Sequence, residues 1–253
     1  MAKMGKLTID KFGFSMPATA PAVLAPPIHL RNMEMIIMAY HTDEEEALRI
    51  LPDGLELVEP ATASIVIARY HFTTWGPYNE AILGLMCKWQ GQLMAYLPYL
   101  LVTQEVPLIA GREIWGYGKK LAHVDVTHEH DQFMGIIERP TNNRLATAVM
   151  RPLDNVPAES FGFPPVVSLK VIPGPEPGKT PALAQLVSLD FRVTPIVGTD
   201  GISEVWSGPG SLVYNSPTES DPWHRLAVKE VISCCYGHFN GYVPHGKILK
   251  EYH

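Results

Sequence analysis

The chain is short of charge, of cysteine and of long apolar runs, and each shortage excludes a class of protein. Charged residues fill only 18% of its 253 positions, against roughly 25% in ordinary soluble domains. The balance is acidic, with 20 Lys and Arg against 26 Asp and Glu and a net charge of −6. With no cluster of basic residues, nucleic acid and anionic membrane surfaces are poor partners. Three cysteines occur, Cys87, Cys234 and Cys235. An odd number, two of them adjacent and none in a CxxC spacing, is no disulfide framework, so they read as reduced thiols in a cytoplasmic protein. The longest apolar run, residues 93–102, contains Pro98 and is too short to cross a bilayer. Lys3, Lys6 and Lys11 imitate the start of a secretory signal, but Asp10 interrupts them and Pro17, Pro21, Pro26 and Pro27 break the apolar stretch that follows; secretion is not expected.

Proline and glycine, by contrast, are plentiful, at 23 and 20 residues. Residues 1–30, Pro- and Ala-rich from residue 12 onward, are expected to form an extended N-terminal arm, and residues 31–253 a single domain. Within the domain, short runs rich in β-branched, Met and aromatic residues recur at 33–40, 63–72, 93–102, 121–127, 134–138, 145–151, 166–172 and 183–193. Pro, Gly, Asn or Asp separates them, the pattern of a sheet with many turns. One helix start stands out: Thr42-Asp43-Glu44-Glu45 fits a capping box with Thr42 as N-cap and Glu45 at N3, and Pro52-Asp53-Gly54 stops the helix. Residues 221–231 read equally as helix or strand. The expected fold is mainly β (α+β), a single antiparallel domain with a few short helices.

No Walker loop, HExxH or GxSxG is present. Gly208-Pro209-Gly210 is a turn, since proline removes an amide that a phosphate would need. His123, His128 and His130 lie close in sequence, but no further ligand stands at a recognisable spacing, so no metal is expected. The segment Gly111-Arg112-Glu113-Ile114-Trp115-Gly116-Tyr117-Gly118-Lys119-Lys120 is different. Of the chain's 11 lysines only these two adjoin, and they follow aromatic and glycine residues rather than polar ones. Such a segment is either a solvated basic turn or the seat of a lysine that attacks a carbonyl to form a Schiff base.

On this segment the chain resembles the acetoacetate decarboxylase family, in which Gly-Arg-Glu precedes a Lys-Lys pair by the same interval. The resemblance continues, in order, through Tyr40-His41-Thr42-Asp43, Tyr78-Asn79-Glu80, Leu169-Lys170-Val171-Ile172-Pro173, Glu204-Val205-Trp206-Ser207-Gly208-Pro209 and Val228-Lys229-Glu230-Val231. It implies a closed, cone-like β structure and a homo-oligomer. It also implies decarboxylation of acetoacetate or a related β-keto acid, with Lys119 forming the Schiff base and Glu80 placing the amine and moving protons. Tyr117 matches a pocket-lining aromatic, while Arg112 and Glu113 are expected to pair and order the loop. No organic cofactor or metal is implied, because the lysine imine is itself the electron sink. There are departures. Met33 stands where the family's decarboxylases carry an arginine near the substrate carboxylate, and Ile65 where they carry a second acid. Gly118 stands where Pro is common. Arg31, two residues before Met33 and on the same face of an extended strand, is the substitute expected to bind substrate. These departures leave a second Schiff-base reading, an aldolase or dehydratase acting on keto acids, and a third, a non-catalytic small-molecule-binding cone.

A free lysine, with pKa near ~10.4, is almost wholly protonated at pH 7 and does not attack. Activation by burial or by a neighbouring cation is known from this family itself. Adjacent residues of an extended strand point to opposite faces, so burial of Lys119, rather than the charge of Lys120, is expected to release the amine.

Overall fold

Most of the apolar runs become strands. The computed structural model describes residues 2–178 and 181–252. Its strands are β1 (Ile28–His41), β2 (Glu56–Leu57), β3 (Thr62–Thr73), β4 (Tyr78–Trp89), β5 (Gln92–Val102), β6 (Lys119–Leu121), β7 (His123–Glu129), β8 (Gln132–Glu138) and β9 (Arg144–Met150). They continue as β10 (Asp154–Asn155), β11 (Val166–Ile172), β12 (Leu183–Leu189), β13 (Arg192–Pro195), β14 (Val205–Ser207), β15 (Gly210–Tyr214), β16 (Glu230–Val243) and β17 (Lys247–Glu251). Two α-helices interrupt them, α1 (Glu44–Ile50) and α2 (Glu105–Ala110).

A large sheet runs β10-β14-β16-β1-β3-β4-β5-β11-β12-β17, with β13 added on β16, β2 on β4 and β6 on β5; a smaller one runs β15-β9-β8-β7. Among the described residues the large sheet runs between β10 and β17 at its two ends, and residues of both sheets share one core, the single sheet-rich domain expected. Pairing is antiparallel except that β5 runs parallel to both β6 and β11. A parallel neighbour requires a crossover of a dozen or more residues. Residues 103–118 supply the one between β5 and β6, and they carry the Gly-Arg-Glu segment.

The pleat decides what each strand offers to either side. On β3, Ile65 and Ile67 join Leu83, Leu101, Val124 and Ile137 in the core between the two sheets. Their neighbours Val66, Ala68 and Tyr70 join Met33, Met35 and Phe239 on the opposite face. Burial on both faces explains why these strands read as apolar runs rather than strict alternations.

Several boundaries differ from expectation for identifiable reasons. β1 begins at Ile28, and Val23 is buried in one cluster with Leu100 and Trp115, so the arm is tied down before residue 30. The N-cap of α1 is Asp43, whose carboxylate accepts from the Glu46 amide at 3.1 Å, rather than Thr42. The Thr42 amide is already engaged by the Ala61 carbonyl. The run 183–193 splits at Asp190 into β12 and β13. In 221–231 a single 3-10 turn, Trp223–Arg225, precedes β16.

Glu34, nearly enclosed on β1, is held by Arg69 Nη1 at 3.2 Å and by the Tyr236 hydroxyl at 2.9 Å. Arg69 also reaches Asp125 at 2.6 Å and the Val126 carbonyl, so one guanidinium joins the large sheet to β7. Arg69→Ala leaves a buried carboxylate short of its cation. Since Arg69 is partly exposed, the expected loss is about 2 kcal/mol, below the ~3–5 kcal/mol of fully buried pairs. Thermal unfolding should show a Tm lower by roughly 5 °C.

Candidate active site

Parallel pairing of β6 with β5 sets Lys119 beside Leu100 and Lys120 beside Leu101. Leu100 belongs to a cluster with Trp115 and Tyr117, Leu101 to the core between the sheets. The two lysines therefore part. Lys119 turns inward and is 6% exposed, while Lys120 reaches outward to Asp221 Oδ1 at 3.0 Å.

The crossover that delivers Lys119 is a tightly pinned turn. After α2 the chain widens into a π-turn, Gly111–Trp115, which ends at Gly116 with φ +79°. A Cβ at Gly116 would lie 2.2 Å from Lys170 Cβ, so both conformation and space require glycine there. The Tyr117 amide donates to the Gly111 carbonyl at 2.9 Å, and Ser168 Oγ donates to the Trp115 carbonyl at 2.6 Å. Arg112 and Glu113 order this turn separately rather than as a pair. Arg112 donates to the Lys119 carbonyl at 3.3 Å, and the Glu113 carbonyl accepts from Lys170 Nζ at 2.6 Å. Gly111 has a further role, because an added Cβ would stand 2.6 Å from Lys119 Cδ and 2.7 Å from Cε. The lysine stem lies in the space that glycine leaves.

Glu80 enters from β4, which is paired to β3 at Ala68 and to β5 at Val102. Its side chain is as enclosed as the lysine, and Oε1 lies 2.7 Å from Lys119 Nζ. The contact is close but not aligned as a hydrogen bond, and among the described residues Oε1 has no other donor. Oε2 accepts from the Tyr70 hydroxyl at 3.1 Å. The rings of Tyr78 and Tyr117 each stand 5.8 Å from Nζ. Burial first, and then the charge of Glu80, push the phenols of Tyr70, Tyr78 and Tyr117 far above the usual tyrosine range. All three are neutral walls, and Tyr70 is a fixed donor.

Around the pair is a cavity of about 110 Å³ whose only charged lining side chains, among the described residues, are Lys119 and Glu80. Aromatic and aliphatic residues form the rest, among them Trp75, Trp115, Phe163 and Phe191. Lys119, Glu80 and Tyr117 are thus brought together in one cavity. Arg31 is not. A register shift between Leu30 and Met33, with Asn32 at φ +51°, breaks the alternation of β1. Leu30 and Met35 line the cavity, while the exposed Arg31 donates to the Leu30 carbonyl at 2.9 Å. Met33 is enclosed against Gly241. Ile65 faces the smaller sheet, and its neighbours Ser64 and Val66 face the cavity. Neither expected cation nor second acid is present in the wall. Sequence reasoning missed Tyr70, Tyr78 and Trp75; only the two-residue step from Ala68 and Glu80 marks the two tyrosines as inward. Among the described residues no group of three or more His, Cys, Asp or Glu side chains is placed to hold a metal ion, and no helix is long and apolar enough to cross a membrane.

Comparison with known proteins bears on the family and the fold. The acetoacetate decarboxylase family model matches residues 15–253. Acetoacetate decarboxylase 2 of Mesorhizobium japonicum is 29% identical over 249 residues, covering 97% of this chain and 92% of that one. The crystal structure of acetoacetate decarboxylase from Legionella pneumophila superposes with a TM-score of 0.80 at 29% identity, over 100% of this chain and 99% of the other. An enduracididine biosynthesis enzyme solved with pyruvate superposes at 0.77, over 96% and 99% of the two chains, but at 22% identity that likeness bears on the fold alone. With the family model matched across nearly its whole length, the chain belongs to the acetoacetate decarboxylase family.

Proposed function

We propose that the protein decarboxylates a β-keto acid through an imine on Lys119. The observation that carries this reading is the Lys119–Glu80 contact of 2.7 Å inside a cavity with no other charged wall group. A proton moves from Nζ to Oε1, leaving an amine beside a carboxylic acid; in a dry site this neutral pair escapes the penalty of two buried charges. The amine attacks the keto carbon, and loss of water gives a protonated imine. The bond to the carboxylate then breaks, its electron pair enters the C=N bond, and CO₂ leaves an enamine. Glu80 spends its first proton on the departing water, takes a second from solvent and delivers it to the enamine carbon, and water hydrolyses the imine to free the ketone and Lys119. The lost water is regained, so the net change is keto acid plus a proton to ketone plus CO₂. The apolar wall favours the cleavage step. A carboxylate held there without a cation is poorly solvated, and its departure as neutral CO₂ relieves that state.

Incubation with acetoacetate or a longer β-keto acid should release CO₂, and borohydride should fix the substrate carbon skeleton on the peptide containing Lys119. Absence of any adduct would overturn the imine. An adduct without CO₂ would favour aldol or dehydration chemistry through the same enamine, a reading supported by the missing cation in the wall. Glu80→Gln should lower kcat by about 10²–10⁴ while an adduct still forms slowly. We further infer a homo-oligomer, which light scattering of the purified protein tests directly, and a cytoplasmic location, which fractionation of cells tests.

A further inference from the structure

Glu80 has two carboxylate oxygens, and only one of them faces the lysine. Oε1 stands 2.7 Å from Lys119 Nζ, while Oε2 accepts from the Tyr70 hydroxyl at 3.1 Å. Rotation about the last bond of a glutamate is soft and roughly two-fold, so something must hold Oε1 in place. The charge of Lys119 does so only until the proton moves. Among the described residues Oε1 has no hydrogen-bond donor, and the bond from Tyr70 is the one that the carboxylate accepts from a side chain. Tyr78 and Tyr117 line the same cavity, but neither hydroxyl is bonded to Glu80.

The register of β3 on β4 makes this bond. Ala68 stands opposite Glu80 and Tyr70 opposite Tyr78. Tyr70 and Glu80 are therefore diagonal neighbours on one face, within reach of an aromatic side chain. Tyr70 is itself well held. Its ring packs on Tyr78 with centroids 4.5 Å apart, Met33 stands opposite it on β1, and it is 2% exposed. Burial above all, and then the charge of Glu80, keep its phenol protonated, so it donates throughout and transfers no proton itself. From this bond we propose that Tyr70 is a positioning residue acting through Glu80: it fixes the carboxyl so that Oε1 takes the proton of Nζ and later delivers one to the enamine carbon, two bonds from Nζ. The enamine step rests on the imine reading; the anchoring of Glu80 does not.

Tyr70→Phe removes only the hydroxyl and keeps the ring against Tyr78. With acetoacetate, kcat for CO₂ release should fall about 10–100-fold, the effect of one hydrogen bond to a charged group, with KM kept within about threefold. In a Glu80→Gln background the same substitution should cost less than about twofold, because a residue acting through the Glu80 carboxylate then has nothing to act on. An unchanged kcat, or equal losses in the two backgrounds, would overturn the assignment. Infrared spectra of protein labelled isotopically at glutamate, less those of Glu80→Gln, isolate the Glu80 carboxyl band without any substrate. That band should move in Tyr70→Phe, and in the opposite sense when a ring-fluorinated tyrosine, a stronger donor, stands at position 70. The fluorinated protein keeps the bond and so decides the matter even where the Phe variant unfolds; an unmoved band would overturn the anchor. Borohydride trapping with acetone reads the imine alone. No adduct, with the band shift intact, would overturn the imine and leave Tyr70 anchoring Glu80.

Discussion

Lys119→Ala should yield no borohydride-stable adduct with any ketone and a decarboxylation rate lower by at least about 10⁴-fold, whereas Lys120→Ala should retain both adduct and most of the rate. The asymmetry follows from the pleat of β6. Lys119 shares its face with Leu100 and the cavity, and its Nζ is the one amine among the cavity-lining groups. Loss of a covalent nucleophile leaves only binding and general electrostatics, which explains the size of the effect. Lys120 serves another partner. Its Nζ bonds Asp221 and the Ser220 carbonyl, and Asp221 also receives Arg139 Nε at 2.9 Å. Burial pushes the Asp221 carboxyl upward, but hydrogen bonds from Lys120 and Ser220 and the charges of Lys120 and Arg139 hold it below the usual aspartate range. Arg139 and Ser220 remain when Lys120 is removed, so folding survives. Peptide mass after trapping distinguishes the two variants. Equal loss of adduct in both would mean that the charge of Lys120, turned away as it is, nevertheless governs the amine.

Gly111→Ala should lower kcat by about 100-fold or more without unfolding the protein. The new methyl would come within 2.6 Å of Lys119 Cδ and 2.7 Å of Cε, closer than carbon atoms tolerate. The turn cannot retreat easily, because the Gly111 carbonyl is bonded to the Tyr117 amide and Trp115 is fixed by Ser168 and Pro244. The lysine stem has rotatable bonds and yields first, carrying Nζ away from Glu80. Displacement of a reacting group by about 1 Å is enough for a 100-fold loss. Gly111 has an αR backbone in its π-turn, which alanine adopts without strain, so near-native Tm with lost activity is the signature. Unchanged kcat would mean that the lysine can be seated without this gap.

The same contrast separates what could be read from the chain and what could not. β11 was legible residue for residue, and β3, β5, β8 and β9 nearly so, because each is an apolar run bounded by turn residues. β4 was not, since Glu80 and Gly84 interrupt its pattern. α2 was hidden by Pro107, although proline is tolerated in a first helical turn. Lys119 stood out by its local setting, and Glu80 only by family resemblance, because nothing in one chain announces a contact between β4 and β6. Arg31 was misplaced by a single irregularity at Asn32, which no count of alternating residues foresees.

The sequence by itself therefore determined a sheet-rich domain of the acetoacetate decarboxylase kind and a lysine set apart by its neighbours, because apolar runs, turn residues and an ordered set of motifs are properties of the chain. Tertiary structure alone decided which side chains share a cavity. The parallel crossover aimed Lys119 at Glu80, the bulge in β1 turned Arg31 away, and the pleat of β3 turned Ile65 toward the smaller sheet. Register and strand irregularity set these outcomes, and both depend on pairing with distant strands. The low charge that first marked the chain thus becomes, once folded, one buried ion pair in an otherwise uncharged wall.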